Sequence, residues 1–187
     1  MILIVGLGNP GNTYDNTRHN VGREIVARFG AHSSAGEFRP EKKWNALVSE
    51  AKIGKTKAVL MLPETMMNNS AKSVAPAARF YKIKPKDIFV VHDDADIALG
   101  HAKLSFGRNS AGHKGVDSLI RGLKTRDFWR LRIGIAGKRD VPAEKLVLKK
   151  FTPDETRLVK KITKATIAAL TTITSEGAER AMNTYNS

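Results

Sequence analysis

The sequence predicts an α/β fold, with a single domain over residues 1–187 in which helices pack around a mixed, twisted β-sheet. Short apolar segments typical of buried strands alternate along the chain with segments whose apolar residues recur at helical spacing. Two neighbouring strand-like segments are joined by a two-residue turn, which indicates a hairpin and therefore an antiparallel part of the sheet. A chain of 187 residues, 41% of them hydrophobic, is long enough to bury a complete core.

The first half of the chain begins with a buried strand and continues with a helix and the hairpin. Val21, Ile25 and Phe29 recur at helical spacing, and the following Gly30 suits the left-handed position that ends a helix. Gly54-Lys55 separates the two hairpin segments. The predicted elements of this half are a strand at 2–5, a helix at 21–29 and strands at 44–53 and 56–62.

The second half continues the alternation and closes with a long helix. Pro76 lies inside a predicted helix and should kink or shorten it, because proline has no N–H to donate. The last helix begins with Thr152-Pro153-Asp154-Glu155, a capping box with proline at the first helical position. The predicted elements are a helix at 68–81, strands at 88–91 and 102–106, a helix at 115–123, a strand at 131–135 and a helix from 152 onward.

The charge of the chain indicates a nucleic-acid partner. Thirty-two Lys and Arg against 18 Asp and Glu give a formal net charge of +14, and the excess is spread over several segments. A surface of this kind attracts polyanions. A solvated basic surface without a partner is the alternative interpretation, and we favour nucleic-acid binding.

Composition also excludes several classes of protein. The chain has no cysteine, which excludes disulfides and a thiol nucleophile. No apolar run approaches the roughly 20 residues that a membrane span needs, and the N-terminus lacks the basic and apolar regions of a secretory signal. We therefore expect a cytoplasmic protein that does not bind a membrane.

A glycine-rich loop follows the first predicted strand. Gly6-Leu7-Gly8-Asn9-Pro10-Gly11 matches the dinucleotide fingerprint G-x-G-x-x-G, in which a pyrophosphate approaches the start of a helix. The context does not fit, because the residues after this loop are polar as far as Val21 and no acidic residue ends a second strand about 20 residues further on. We therefore interpret the glycines as shaping a loop that directs Asn9 and His19 toward one point.

Polar residues cluster where predicted strands end or helices begin, which is where α/β sheets build their sites. Asp93 follows the strand at 88–91, so we expect its carboxylate beside the first loop and His19. Such a pair can drive hydrolysis, because a carboxylate fixes the imidazole tautomer while the other ring nitrogen deprotonates water. The four clusters are Asn9 with Arg18-His19-Asn20, Met66-Met67-Asn68-Asn69, His92-Asp93-Asp94-Ala95-Asp96, and Asn109-Ser110-Ala111-Gly112-His113-Lys114-Gly115.

A divalent metal site is the alternative chemistry for one of these clusters. His92, Asp93, Asp94 and Asp96 offer the nitrogen and oxygen ligands that a nuclease metal ion uses. No second cluster of histidine and carboxylate residues completes such a site, so we favour the pair that activates water.

The order and spacing of these motifs resemble the bacterial peptidyl-tRNA hydrolase family, from Met1 to about Glu155. The resemblance implies a monomeric enzyme without metal or organic cofactor. It also implies hydrolysis of the ester that links a peptide, or an N-blocked aminoacyl group, to the terminal ribose of tRNA. The matching motifs are Gly6-Leu7-Gly8-Asn9-Pro10-Gly11 with Tyr14, Thr17-Arg18-His19-Asn20-Val21-Gly22, Thr65-Met66-Met67-Asn68-Asn69-Ser70, Asp93-Asp94-Ala95-Asp96 followed by Gly100, Ala111-Gly112-His113-Lys114-Gly115, Leu131-Arg132-Ile133-Gly134-Ile135 and Val147-Leu148-Lys149-Lys150-Phe151.

The resemblance also implies roles for individual residues. His19 corresponds to the general base, and Asp93 to the carboxylate that keeps it basic. Asn9 corresponds to the residue that distinguishes a blocked aminoacyl or peptidyl group from a free amine. The acceptor end and phosphate backbone of peptidyl-tRNA are the implied partner. The implied substrate and tRNA contacts are Tyr14, Met66 and Asn68, which also positions water. Met67 and Lys114 are further predicted contacts, and the Lys114 ammonium can reach a developing oxyanion or a nearby phosphate.

Two positions depart from the family pattern. Met66 stands where an aromatic residue is usual, and Lys114 replaces the asparagine of a G-G-H-N-G stretch. Relatives of this fold that act as intron-splicing factors bind RNA without hydrolysing it, and they are the alternative functional class. The chain retains the residues that the family uses for catalysis, which favours the enzyme.

Overall fold

A seven-stranded mixed β-sheet with helices on both faces forms the fold of the computed structural model, which describes residues 1–137 and 141–186. The predicted α/β class is therefore confirmed. The order across the sheet is β2-β3-β4-β1-β5-β7-β6. In chain order the strands are β1 Ile2–Gly6, β2 Arg39–Glu41, β3 Ala46–Ile53, β4 Thr56–Pro63, β5 Ile88–Ala98, β6 Ala102–Phe106 and β7 Trp129–Ala136.

The four strands at the centre of the sheet run parallel, and each strand outside them pairs antiparallel with its inner neighbour. β1 pairs in parallel with both β4 and β5, and β5 pairs in parallel with β7. The predicted hairpin is β3 and β4, and β2 and β6 form the antiparallel edges. Because parallel strands end at the same edge, the segments that follow β1 and β4 meet there beside the second half of β5.

Each face of the sheet carries its own hydrophobic core. Ile4 of β1 packs with α1, α5 and α6 on one face, whereas Leu3 and Val5 pack with α2 and α3 on the other. This division follows from the alternation of side chains along a strand. None of the helices within the described residues has the length and apolar character needed to span a membrane. The helices are α1 Val21–His32, α2 Ser70–Phe80, α3 Lys114–Leu123, α4 Ala143–Leu146, α5 Pro153–Glu176 and α6 Ala178–Tyr185.

Gly30 acts differently from the sequence prediction, and Pro76 does not end its helix. Gly30 does not end α1, which continues to His32. A Cβ at Gly30 would lie 2.8 Å from a ring carbon of Phe38, so close packing explains this glycine. Pro76 lies inside α2, which nevertheless continues to Phe80. The predicted capping box at the start of α5 is present.

One strand and two helices were not predicted, and β5 extends well beyond its predicted end. β2 has only three residues and contains Pro40, and α4 has only four residues. α6 begins after Gly177, and its apolar residues Ala178, Ala181, Met182 and Tyr185 recur at helical spacing over only eight residues. β5 continues beyond the predicted end to Ala98, so Asp93 lies within the strand rather than after it.

Candidate active site

A cavity of about 340 Å³ opens at the edge of the sheet where the parallel strands end. The loop after β1, the turn before α2, the second half of β5 and the start of α3 all contribute to its wall. The structure brings all but one of the predicted site residues to this cavity. The predicted residues that line it are Asn9, His19, Met66, Met67, Asn68, Asp93 and Lys114.

His19 and Asp93 form a buried hydrogen-bonded pair in the cavity wall. The distance from His19 Nδ1 to Asp93 Oδ1 is 2.8 Å, and the two residues are 8% and 1% exposed. Burial by itself would raise the pKa of Asp93, but the charge and hydrogen bonds of His113 and His19 hold it well below its usual range. Asp93 is therefore a carboxylate at neutral pH and accepts the proton of His19 Nδ1, which leaves His19 Nε2 as the basic nitrogen.

His113 is a second donor to the same carboxylate oxygen, 2.9 Å from His113 Nε2. Its other ring nitrogen, Nδ1, accepts the backbone N–H groups of Gly115 and Val116 and so caps the start of α3. A nitrogen that accepts two N–H groups carries no proton, so the proton of neutral His113 lies on Nε2. The helix start thereby fixes His113 in the tautomer that donates to Asp93.

These three side chains are also the candidate metal ligands within the described residues. One nitrogen or oxygen from each of His19, Asp93 and His113 lies within 4.8 Å of the others. The two imidazole nitrogens that contact Asp93 both carry protons in this arrangement, so a cation would have to displace both hydrogen bonds. The geometry therefore favours proton transfer over metal binding.

The residues of the metal cluster considered from the sequence do not converge on one point, because they make separate contacts. Asp94 forms an ion pair with Arg132 at 2.7 Å. His92 is fully buried, and its Nδ1 lies 2.6 Å from the backbone oxygen of Asp93. Burial is the main cause of a pKa for His92 well below its usual value, so this ring is neutral. Asp96 is exposed.

Asn9 is held in place by Asn20. The Asn20 side chain accepts the backbone N–H of Asn9 at 2.8 Å and donates to the backbone oxygen of Asn9 at 2.9 Å. Asn9 Oδ1 accepts the backbone N–H of Met67 at 2.8 Å, which leaves Asn9 Nδ2 as the donor for a ligand in the cavity. Asn20 and His113 lie in the predicted polar clusters, but their hydrogen bonds to Asn9 and Asp93 were not predicted.

The remaining predicted contacts lie at different depths. Met67 is buried, whereas Met66 and Asn68 are exposed at the cavity wall. The Lys114 side chain is 66% exposed, and its Nζ lies 4.0 Å from Glu144 Oε1 of α4, at the rim. Tyr14 is half-buried in the turn Asn12–Tyr14 and does not line the cavity.

Comparisons with known proteins agree with this architecture. A family model described as peptidyl-tRNA hydrolase matches residues 3–187. A peptidyl-tRNA hydrolase from Desulfitobacterium hafniense (strain Y51) is 42% identical over 188 residues, with all of both chains covered. One from Alkaliphilus metalliredigens (strain QYMF) is 38% identical over 186 residues, again over all of both chains. The crystal structure of peptidyl-tRNA hydrolase from Acinetobacter baumannii superimposes with a TM-score of 0.93 at 31% identity, covering 100% of this chain and 95% of that one.

Proposed function

The chain belongs to the peptidyl-tRNA hydrolase family, and on that basis we propose that it activates water with His19 and Asp93 to hydrolyse the ester between a peptide and tRNA. The substrate is a peptide, or an N-blocked aminoacyl group, on the terminal ribose of tRNA, and the reaction returns free tRNA to translation. The observation that carries the proposal is the buried pair of His19 Nδ1 and Asp93 Oδ1, 2.8 Å apart in the wall of a cavity large enough for the reacting ester.

The proposed reaction needs one base and one polarised carbonyl. His19 Nε2 takes a proton from water while the water oxygen forms a bond to the ester carbonyl carbon. The bond from that carbon to the ribose oxygen then breaks, and the proton on His19 Nε2 passes to the ribose oxygen. The carboxylate of Asp93 stabilises the imidazolium that exists between the two steps.

Two amide side chains are proposed to position the substrate. Asn9 Nδ2 is free to donate to the carbonyl of the peptide or N-blocked group, because Oδ1 is occupied by the backbone of Met67. Asn68 is exposed at the cavity wall and is the proposed donor to the water or to the developing oxyanion. All proposed side chains come from one chain, so we propose that the monomer is active, in the cytoplasm where translation occurs.

The activity assay measures release of N-blocked amino acid from a blocked aminoacyl-tRNA, with and without a chelator. We expect release that the chelator does not change. Release that the chelator abolishes would contradict water activation by the His19–Asp93 pair and favour a metal enzyme. Tight tRNA binding without release would contradict hydrolysis and favour an RNA-binding protein of the splicing-factor class.

The basic surface is proposed to bind the tRNA phosphates, and the exposed face of α5 is the part to test. Lys160, Lys161 and Lys164 are exposed there and form no ion pair with the described residues. Changing all three to Gln should lower the slope of log affinity against log salt by about two units, because each phosphate contact contributes roughly 0.7 to 0.9. The measurement is tRNA binding over a salt series.

A control variant separates this local effect from the loss of net charge. Lys52, Lys55 and Lys57 are exposed at the β3–β4 turn, at the opposite edge of the sheet from the cavity. The same change at these three positions removes the same charge and should leave the slope nearly unchanged. Equal slopes for the two triple variants would contradict a tRNA contact by α5.

Lys114 is proposed to contact a tRNA phosphate from the rim of the cavity. Because its ammonium is solvated and lies beside Glu144, Lys114→Met should raise KM for the tRNA substrate by roughly three- to tenfold and change kcat by less than about twofold. Lys145→Met is the matched control, since Lys145 is exposed on the neighbouring α4 and does not line the cavity. A large fall in kcat for Lys114→Met would place the ammonium at the oxyanion instead.

A further inference from the structure

The turn that carries His19 is held against the chain segment that leads into α5. Residues Arg18–Asn20 form a single 3-10 turn. The backbone N–H of His19 donates to the backbone oxygen of Val147 at 2.9 Å, and that of Arg18 donates to Lys149 at 3.0 Å. The position of the proposed base therefore depends on a segment more than 120 residues away in the sequence.

The side chain of Arg18 makes the contacts that fix this arrangement. It is buried, and its guanidinium lies 4.8 Å above the ring centre of Phe151. Nη1 donates to the backbone oxygen of Ile135 at the end of β7, and Nη2 donates to Glu155 Oε2 at 2.7 Å. Arg18 thus connects the turn of the proposed base to both β7 and the first turn of α5.

Glu155 has two functions through one carboxylate oxygen. Its Oε2 accepts the backbone N–H of Thr152 at 2.9 Å, which completes the capping box of α5, and also accepts Arg18 Nη2. Burial alone would raise the pKa of Glu155, but the hydrogen bonds from Arg18 and Thr152 lower it overall, so the side chain is ionised at neutral pH. The start of α5 and the position of Arg18 are therefore coupled.

We propose that Arg18 and Glu155 are positioning residues for ester hydrolysis, because their ion pair fixes the turn that presents His19 to Asp93. This inference rests on the proposed role of His19 as general base. Neither side chain lines the cavity, so neither touches the reacting ester. Arg18 is covalently next to His19, and any shift of its backbone moves the imidazole relative to a carboxylate whose hydrogen bond tolerates only small displacements.

A pair of variants separates positioning from simple stabilisation of α5. Glu155→Gln retains an oxygen for the cap but removes the charge that Arg18 needs. Thr152→Ala removes the threonine hydroxyl that accepts the Glu155 N–H at 3.3 Å, and it leaves the ion pair intact. We expect Thr152→Ala to lower Tm by about 2–4 °C without changing kcat. We expect Glu155→Gln to lower kcat about tenfold, with KM for the tRNA substrate within about twofold of the parent.

Two further measurements make the test decisive. The NMR signal of the His19 Nδ1 proton should shift in Glu155→Gln and remain in place in Thr152→Ala. Arg18→Met combined with Glu155→Gln should be no slower than the slower single variant, because each change alone already removes the ion pair that they share. Arg18→Lys replaces Arg18→Met in this cycle if the latter does not fold.

The outcomes distinguish this inference from the proposed function. A Glu155→Gln variant with the kcat and the His19 proton signal of Thr152→Ala would overturn the positioning role while the parent protein still hydrolyses its substrate. Failure of the parent protein to release the blocked amino acid would instead overturn the proposed function.

Discussion

His19→Ala is expected to lower the rate of peptide release by at least roughly 10²- to 10⁴-fold, the range typical of a lost general base. The imidazole is held by a 2.8 Å hydrogen bond to Asp93 and lines the cavity. Within the described part of the chain the other histidine in that wall is His113, whose Nδ1 is occupied by the start of α3. Affinity for tRNA should stay within about twofold, because phosphate contacts supply most of it.

Two further variants test whether the loss of activity is specific to His19. Asp93→Asn should be less damaging, since the amide oxygen can accept both imidazole N–H groups and hold the tautomer of His19, although the charge that stabilises the imidazolium is lost. His101→Ala is the matched control, because His101 is exposed and does not line the cavity. The measurement is the release rate of each variant at saturating substrate. A His19→Ala variant that keeps most of its activity would contradict the role of His19 as general base.

The sequence was sufficient to predict the fold class because the strands and helices carry strong local periodicity. β1 and the first four residues of β5 are nearly continuous apolar runs, and α5 has a complete capping box. β2 lacks such a signal because it contains a proline within three residues, whereas α6 has apolar residues at helical spacing but over only eight residues. β2 forms because it pairs with β3, which local patterns do not record, and α6 is too short for its pattern to stand out in the sequence.

The meeting of His19 with Asp93 was predictable for a topological reason. β1 and β5 are parallel neighbours, so the segment after β1 and the second half of β5 reach the same edge of the sheet. The hydrogen bonds that refine the site were not predictable in this way. His113 contacts Asp93 across 20 residues and Arg18 contacts Glu155 across 137, and neither pairing follows from periodicity or spacing.

Lys114 shows a different limit of sequence reasoning. The sequence singles it out because it replaces a residue that is usual in the family, and it does line the cavity. A side chain of this length has many rotamers, however, and only the structure places its ammonium at the rim beside Glu144. The residue type alone therefore indicated a contact with the substrate but could not locate it.

Gly22→Ala is expected to have the largest effect on stability, because α1 packs directly on the backbone of β5 at this residue. A Cβ at Gly22 would lie 2.1 Å from the backbone oxygen of Val91 and 3.0 Å from the Cα of His92. Backbone atoms cannot rotate away as a side chain can, so the helix must move. That oxygen also accepts the backbone N–H of Leu7, which ties the loop after β1 to the same point.

We therefore expect Gly22→Ala to lower the free energy of unfolding by about 3 kcal/mol, the upper part of the range for overpacked cores. This corresponds to a fall in Tm of roughly 6–12 °C for a chain of this size. Gly30→Ala is the control within α1, where the close atom belongs to the side chain of Phe38, which can shift. It should change Tm much less, because alanine also favours the helix by about 1 kcal/mol. Denaturant and thermal unfolding of both variants give the comparison.

Where Gly22→Ala remains folded, displacement of α1 should also separate His19 from Asp93 and reduce release of the blocked amino acid. A Gly22→Ala variant as stable and as active as Gly30→Ala would show that the contact between α1 and β5 is not what holds the base against its carboxylate.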